Sequence, residues 1–268
     1  MTETQQTMHR PPGAVNLRRR PRVAQLRNVA LATDAIGRAI DRIEPGSNTI
    51  CVMYGYPGLG KTMALGYCLA RFDGVAITAS SLETPTEILR TIGRELGLSL
   101  PHSAPRARML PMVIDELRRQ ERPLLVDEFD RIVQRSDPDR SIGLIELFRD
   151  LVDRARVPML VAGEERLPYK LEKFTRFFDR VLAWVPAVPL DMGDAAELQR
   201  LYCPEIEVEP GALAHILERT QGNARRFTTM ITGARQLLLD AGRGTLTEQI
   251  AHSLPTPVDT APMARRFQ

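Results

Sequence analysis

Short apolar runs and amphipathic stretches alternate along the first 190 residues of the chain. In the amphipathic stretches the apolar residues recur every three or four positions, as from Val29 to Ile43, and this spacing predicts helices. The stretch from Leu167 to Arg180 is also predicted as a helix, and the segment that follows the third apolar run is predicted as a loop. Each apolar run has the length of a buried strand. The runs occupy residues 49–54, 74–79, 122–128, 157–163 and 181–188. Five strands that alternate with helices predict an α/β fold with a doubly wound, five-stranded parallel sheet.

The pattern changes after Pro189, where strand-like runs vanish and helical stretches follow at 194–201, 209–220 and 224–241. Residues from 242 onward are polar and rich in proline. We therefore expect a small all-helical domain behind the α/β core. The predicted division is a disordered basic arm at 1–27, the core at 28–190, the helical domain at 191–241 and a flexible tail at 242–268.

The segment from Gly55 to Thr62 reads G-Y-P-G-L-G-K-T, the pattern of a phosphate-binding loop, or P-loop. It lies between the first predicted strand and a helical stretch, which is the context that this motif requires. Its glycines allow successive backbone N–H groups to face a phosphate, and the following helix adds the positive end of its dipole. The expected phosphate-binding residues are Gly55, Tyr56, Pro57, Gly58, Leu59, Gly60, Lys61, Thr62 and Met63.

Two carboxylates, Asp127 and Glu128, end the third apolar run. An acid at this place, the Walker B position, holds the Mg²⁺ that accompanies a bound nucleoside triphosphate, and a second acid orients the attacking water. We expect Thr62 and Asp127 to bind Mg²⁺, Lys61 to bridge the β- and γ-phosphates of ATP, and Glu128 to act as the catalytic base.

Composition and charge limit the setting of this chemistry. The net charge is only +3, and no apolar run is long enough to span a bilayer. The polar residues 1–10 lack the apolar core of a secretory signal, and three scattered cysteines favour a reducing, cytoplasmic setting. The basic run at residues 18–22 has two open interpretations: a grip on nucleic-acid phosphates or an acidic partner, and a merely solubilising tail.

Residues 28–241 resemble the AAA+ ATPases, in which a P-loop core precedes a small helical lid. The resemblance rests on the P-loop, on the strand that ends in Asp127 and Glu128, and on the sequence G-N-A-R-R at 222–226. That last sequence looks like the sensor 2 element of the initiator-type clade. The resemblance implies that Arg225 reaches the γ-phosphate from the lid, with Arg226 as the reserve.

The same resemblance implies a site completed between subunits by an arginine near the last core strand, for which Arg180 is the first candidate and Arg176 the second. The active form would then be an oligomer, either a ring or a helical filament. Asn28 and Val29 are candidates for an adenine contact, with plain packing as the other interpretation. The role of Glu164, at the end of the fourth strand where such ATPases place a γ-phosphate sensor, is left open.

Within the AAA+ proteins the chain is most similar to the phage Mu B-type transposition proteins and the related transposon target-selection ATPases. This similarity implies an ATP-dependent, largely sequence-independent filament on double-stranded DNA that delivers the DNA to a transposase. Mu B-type proteins also carry an N-terminal helix-turn-helix domain, which 27 residues cannot form. The candidate DNA contacts, each equally open to interpretation as a solvated loop residue, are Arg106, Arg108, Arg131, Arg135 and Arg140.

Two alternatives remain beside the transposition hypothesis. One is another initiator-clade ATPase such as a helicase loader, which would chiefly grip a protein ring. The other is a nucleotide-regulated switch with no DNA function. Binding to duplex DNA of random sequence that depends on ATP separates them, since the first hypothesis requires it, the second tolerates it and the third does not predict it.

Overall fold

The computed structural model describes residues 24, 26–44, 46–80, 84–101, 103–133 and 138–255, with residues 138 and 140 described in their backbone only. The predicted sheet is confirmed: five strands, all parallel, lie in the order β2-β3-β4-β1-β5. The strands are β1 (Ile50–Tyr54), β2 (Val75–Thr78), β3 (Leu124–Asp127), β4 (Met159–Gly163) and β5 (Val181–Pro186).

Helices cover both faces of the sheet, which is why its strands are almost continuously apolar. Alternate residues of β1 show the division: Cys51 and Met53 pack in one core cluster, and Ile50 and Val52 in the other. The core helices are α1 (Arg27–Ile40), α2 (Lys61–Phe72), α3 (Pro85–Glu95), α4 (Arg106–Gln120), α5 (Asp130–Val133), α6 (Pro138–Ala155), α7 (Leu167–Leu171) and α8 (Thr175–Phe178).

Two predictions about the core are wrong in detail. The segment after β3, predicted as a loop, turns at once into α5 because Phe129, Ile132 and Val133 are buried. The single helix predicted from Leu167 to Arg180 is broken into α7 and α8. The break lets the ring of Phe177 stack on Phe129 with centroids 5.5 Å apart, so tertiary packing overrides helical propensity here.

The second domain follows β5 and contains α9 (Met192–Tyr202), α10 (Pro210–Arg219) and α11 (Ala224–Asp240). It is not purely helical, since β6 (Glu207–Val208) pairs in parallel with β7 (Thr245–Leu246), and α12 (Glu248–Ser253) follows. The predicted flexible tail is therefore wrong from 242 to 255. Leu246, Ala251 and Leu254 are buried in the same core cluster as the rest of this domain, and their burial orders the segment. Residues 256–268 lie outside the described residues.

The end of the predicted basic arm is part of the fold. Ala24 and Leu26 are buried, and α1 begins at Arg27, one residue earlier than predicted. The Arg27 guanidinium lies 2.9 Å from Asp194 and 3.0 Å from Asp191 at the start of α9, so α1 is tied to the second domain. Residues 1–23, which include the basic run, lie outside the described residues. No helix within the described ranges is long and apolar enough to cross a membrane.

Candidate active site

The P-loop joins the carboxyl end of β1 to the amino end of α2, at the middle of the sheet. Gly58 and Gly60 have φ angles of +83° and +90°, a region that glycine adopts without the steric cost of a Cβ atom. The ammonium of Lys61 donates to the carbonyl oxygens of Gly55 at 2.6 Å and Tyr56 at 3.0 Å. The lysine is thus folded back over its own loop.

Three successive carbonyl groups of the P-loop accept hydrogen bonds from residues that lie outside the loop. The carbonyl of Pro57 accepts from Asn223 Nδ2 at 2.9 Å, that of Gly58 from the Arg225 N–H at 3.0 Å, and that of Leu59 from Asn28 Nδ2 at 2.8 Å. In a trans peptide the carbonyl and the following N–H point in opposite directions, and the described residues contain no cis peptide. The N–H groups of residues 58–60 therefore point away from these donors, which is the arrangement that an anion needs.

A cavity of about 580 Å³ opens beside the loop. Most of the residues that line it fall into two groups, one largely polar and one apolar. The first, which we call the phosphate region, contains Gly58, Gly60, Lys61, Thr62, Asp127, Glu128, Gly163, Glu164 and Arg225. The second, which we call the apolar region, contains Ala24, Leu26, Val29, Leu198, Leu201, Tyr202 and Ala224. A cavity of this size with one charged and one apolar region suits a nucleotide.

The two Walker B carboxylates differ in setting. Asp127 ends β3, and its side chain accepts the N–H of Glu128 at 2.9 Å. Glu128 has a φ of +56°, a conformation that costs a residue other than glycine on the order of 1–3 kcal/mol and that often marks functional sites. Its carboxylate, 47% exposed, pairs with Arg131 at 3.3 Å. Arg131 was expected to contact DNA, but in the structure it is the partner of the candidate base.

Sequence reasoning missed a buried ion pair behind this site. Asp130, only 5% exposed in its side chain, lies 3.2 Å from Lys170 Nζ. Its Oδ2 accepts the Glu164 N–H at 2.5 Å, and a Cβ atom on Gly163 would stand 2.1 Å from the same oxygen. Asp130 thereby fixes the end of β4 beside the cavity. The available signal was the third acid in the run D-E-F-D at 127–130.

The charges of the site fit a triphosphate with a divalent cation. Burial lowers the pKa of Lys61, while the nearby carboxylates of Asp130, Asp127, Glu128 and Glu165 act in the opposite direction. Two cations, Lys61 and Arg225, and three carboxylates, Asp127, Glu128 and Glu164, line the cavity. Oxygen ligands of this kind, with the Thr62 hydroxyl, suit Mg²⁺.

The predicted adenine contacts separate in the structure. Val29 lines the cavity, whereas the Asn28 side chain is buried and used elsewhere. Asn28 donates to the carbonyls of Leu59 and Val188 and accepts the Val188 N–H at 2.9 Å. We therefore no longer expect Asn28 to contact a base. It instead joins the P-loop to the linker that leads from the core to the second domain.

The second domain, which we call the lid from here on, places Arg225 at the same cavity as most of the P-loop residues. Arg225 is exposed, lines the cavity, and its side chain makes no hydrogen bond or ion pair with the described residues. Arg226 does not line the cavity. Pro57 and Met63 complete the loop residues at the cavity, whereas Gly55, Tyr56 and Leu59 act through their carbonyl groups.

The candidate trans arginines lie at the opposite edge of the sheet. The Ile50 N–H donates to the carbonyl of Arg180, which places Arg180 beside the start of β1 rather than its end. Arg180 also pairs with Asp153 at 3.1 Å. Arg176 is exposed, and no described residue forms a hydrogen bond or ion pair with its side chain. Arg180 therefore lies at the end of β1 that is opposite to its own P-loop.

The candidate DNA contacts are scattered. Arg106 and Arg108 were expected in a loop, but they form the exposed first turn of α4. Because α4 leads directly into the amino end of β3 and is about 22 Å long, its first turn lies toward the carboxyl edge of the sheet. Arg140 lies in α6 with its side chain outside the description, and Arg135 lies outside the described residues.

Comparisons with known proteins identify the fold. Residues 43–171 match the family model described as AAA domain. No curated protein matches the chain. Among solved structures, the chain resembles the Orc1 protein of Aeropyrum pernix in complex with DNA, with a TM-score of 0.58 and 15% identity over 84% of this chain and 63% of that one.

Two further structures give the same result over 84% of this chain. Cdc6p from Pyrobaculum aerophilum has a TM-score of 0.59 with 17% identity over 65% of its length. The RuvB Holliday junction branch migration motor of Thermotoga maritima has 0.55 with 17% identity over 67% of its length. The chain thus spans about two thirds of these proteins. The matches show an AAA+ fold over 84% of the chain.

Proposed function

We propose that this protein binds and hydrolyses ATP in the cavity beside the P-loop. The observation that carries the proposal is the meeting of Lys61, Asp127, Glu128 and the lid residue Arg225 around one cavity, although they come from α2, the end of β3 and α11. Mg²⁺, when bound, would offset phosphate charge next to Thr62 and Asp127. Glu128 would accept a proton from the attacking water once its carboxylate turns from Arg131.

We further propose that the protein acts on double-stranded DNA as an oligomer. Arg106 and Arg108 support this, because both are exposed and their side chains are unpaired among the described residues, in the first turn of α4. The basic arm at 18–22 adds cationic charge nearby in sequence to α1. Contacts of this kind bind phosphates regardless of base sequence. Arg180, at the end of β1 opposite to its own P-loop, and Arg176, exposed shortly before β5, suit an assembly in which each copy completes its neighbour's site.

Delivery of that DNA to a transposase is the more specific proposal, and it rests on the resemblance of the motifs to the Mu B-type proteins. A loader or initiator role is the second candidate, and the similarity to Orc1 and Cdc6p favours it. The transposition role requires DNA binding in the ATP state and a continuous coat of protein on random DNA, whereas the loader role tolerates such binding without requiring it.

Electron microscopy and binding assays with random duplex DNA, in ATP and in ADP, test these proposals. Filaments that coat DNA only with ATP, and hydrolysis that rises when a transposase is added, support the transposition role. Closed rings support the loader role. Particles that ignore DNA in both nucleotides would overturn the DNA proposal while leaving the ATPase proposal standing. Arg106→Ala should flatten the salt dependence of DNA binding by about one unit of slope, and Arg94→Ala, an exposed arginine on α3, should not.

A further inference from the structure

The Asn223 side chain performs two tasks at the point where the second domain meets the P-loop. Its Oδ1 accepts the Arg226 N–H at 3.1 Å and so caps the first turn of α11. Its Nδ2 donates to the carbonyl of Pro57 at 2.9 Å. One amide thus joins the start of a 17-residue helix in the lid to the loop that is expected to hold phosphate.

The fit between the two parts is close. A Cβ atom on Gly58 would stand 2.4 Å from Asn223 Oδ1, so a side chain on that residue would displace the asparagine. The lid also holds Gly58 itself, because the N–H of Arg225 donates to the Gly58 carbonyl. Only the carbonyl of Leu59 is held by the core, through Asn28. Two of these three P-loop carbonyl groups therefore depend on the lid for their hydrogen-bond donor.

We propose that Asn223 is a positioning residue that makes the shape of the P-loop depend on the position of the lid. With the lid docked, the carbonyls of Pro57 and Gly58 are held outward, and the N–H groups of Gly58 and Leu59 are turned toward the cavity. When the lid leaves, these peptides lose their partners and are free to rotate. The proposal rests on the proposed function, because it assumes that the cavity binds a nucleotide.

The nucleotide effect follows from linkage. If lid docking favours nucleotide binding, nucleotide must favour lid docking by the same factor. The hydrogen bond from Asn223 to the carbonyl of Pro57, which we call the latch, acts on backbone groups that would meet phosphates shared by ATP and ADP. It therefore affects the binding of both nucleotides alike. This separates Asn223 from Arg225, whose expected partner is the γ-phosphate alone.

Asn223→Ser is the test variant, because serine caps a helix about as well as asparagine but is too short to keep the bond to Pro57. Loss of one hydrogen bond of this kind should weaken ATP and ADP binding by roughly three- to tenfold each. Thr247→Ala is the matched control, since it removes the side-chain cap of α12 in the same domain without touching the P-loop. It should leave both affinities unchanged.

A distance measurement tests the latch without nucleotide. Spin labels at Arg94→Cys in α3 and Leu237→Cys in α11 report the position of the lid relative to the core, and both sites are exposed. The native cysteines are buried, and burial raises the pKa of Cys51 to about 12 and of Cys68 and Cys203 to about 11, so these thiols resist labelling. The distance distribution should broaden in Asn223→Ser and remain native in Thr247→Ala. Asn223→Asp, which keeps the cap and the size but loses the donor, should broaden it as well.

The outcomes separate the latch from the proposed function. A native distribution in both Asn223 variants overturns the latch, whatever the affinities. A broadened distribution with unchanged ATP and ADP affinities overturns the coupling to the P-loop. If the native protein binds neither nucleotide, the proposed function fails, and the distance measurement still decides whether Asn223 holds the lid.

Discussion

The two regions of the cavity are built in different ways. The phosphate region comes mostly from one continuous segment, Gly58 to Thr62, and from the ends of the adjacent strands β3 and β4. The apolar region brings together residues 24–29, residues 198–202 and Ala224, which are far apart in the sequence and include two helices of the lid. A local backbone motif and two neighbouring strand ends make most of the first region, to which the lid adds Arg225, whereas packing between two domains makes the second.

Because the two regions differ in composition, we expect them to have different roles in binding and catalysis. The phosphate region supplies charge, N–H groups and the candidate base, so changes there should affect chemistry and every phosphate-containing ligand. The apolar region supplies contact area with no ionisable group other than Tyr202, so changes there should affect only ligands that carry a base. The following predictions test whether the two regions are separable in this way.

The largest effect is expected for Glu128→Gln. Removing the candidate base should lower the rate of ATP hydrolysis by about 10²- to 10⁴-fold, because a positioned base contributes that much to a proton transfer. ATP affinity should stay near the native value, since glutamine keeps the size of the side chain. Steady-state turnover and equilibrium binding measure the two quantities. Unchanged turnover would remove Glu128 from the role of base.

Lys61→Ala should weaken binding of ATP and of inorganic triphosphate by roughly 10- to 150-fold, the effect of losing a charge-assisted hydrogen bond of about 1.5–3 kcal/mol. Lys173→Ala is the control, since Lys173 is an exposed lysine that does not line the cavity. Competition binding with a fluorescent nucleotide measures both ligands. Equal affinities in the two variants would contradict the assignment of the phosphate region.

A smaller and more selective loss is expected for Leu201→Ser in the apolar region. Nucleotide affinity should fall about fivefold, for roughly 1 kcal/mol of lost apolar contact, while the affinity for inorganic triphosphate stays unchanged. Leu239→Ser, at a lid leucine that is 41% exposed and does not line the cavity, is the control. A parallel loss for triphosphate would show that the two regions are not separable.

The smallest effect concerns pH and the lid. The rings of His215 in α10 and His252 in α12 stack with centroids 3.7 Å apart. Burial and the neighbouring His252 and Arg219 lower the pKa of His215 from its ordinary value of 6.5, while Glu218 and Glu248 act against this shift. The unfolded chain then binds the proton more readily, so this contribution to stability is present above pH 6.5 and is lost as the pH falls through the lowered pKa.

Hydrogen exchange at pH 7 and pH 5 measures this effect region by region, after correction for the intrinsic exchange rates. Protection in α10 and α12 should fall more than protection in β1 and β4. His215→Phe, which keeps an aromatic ring, should remove the difference. An equal loss of protection in the core and the lid of the native protein would show that His215 is not its cause.

The same division explains what the sequence could predict. Gly58, Gly60 and Lys61 were found because a P-loop is a local pattern with a fixed spacing, and the five strands were found because a sheet covered on both faces requires apolar runs. Asn28, Asn223 and Asp130 were not understood, because their roles depend on partners 31, 166 and 34 positions away. No local pattern contains that information.

The errors in the second domain have a related cause. The strand pair β6–β7 is two residues long on each side, and the burial of Leu246 and Leu254 is visible only once α10 and α11 are in place. Polar and proline-rich composition around these residues indicated a flexible tail, but two or three buried side chains are enough to order it.

The crystal structure of Glu128→Gln with ATP and Mg²⁺ tests the central claim most directly. The account predicts one nucleotide across both regions, with its phosphates at the N–H groups of Gly58 and Gly60 and at Lys61, and its base against Val29 and Leu201. A nucleotide bound elsewhere, or one whose base lies outside the apolar region, would contradict the account.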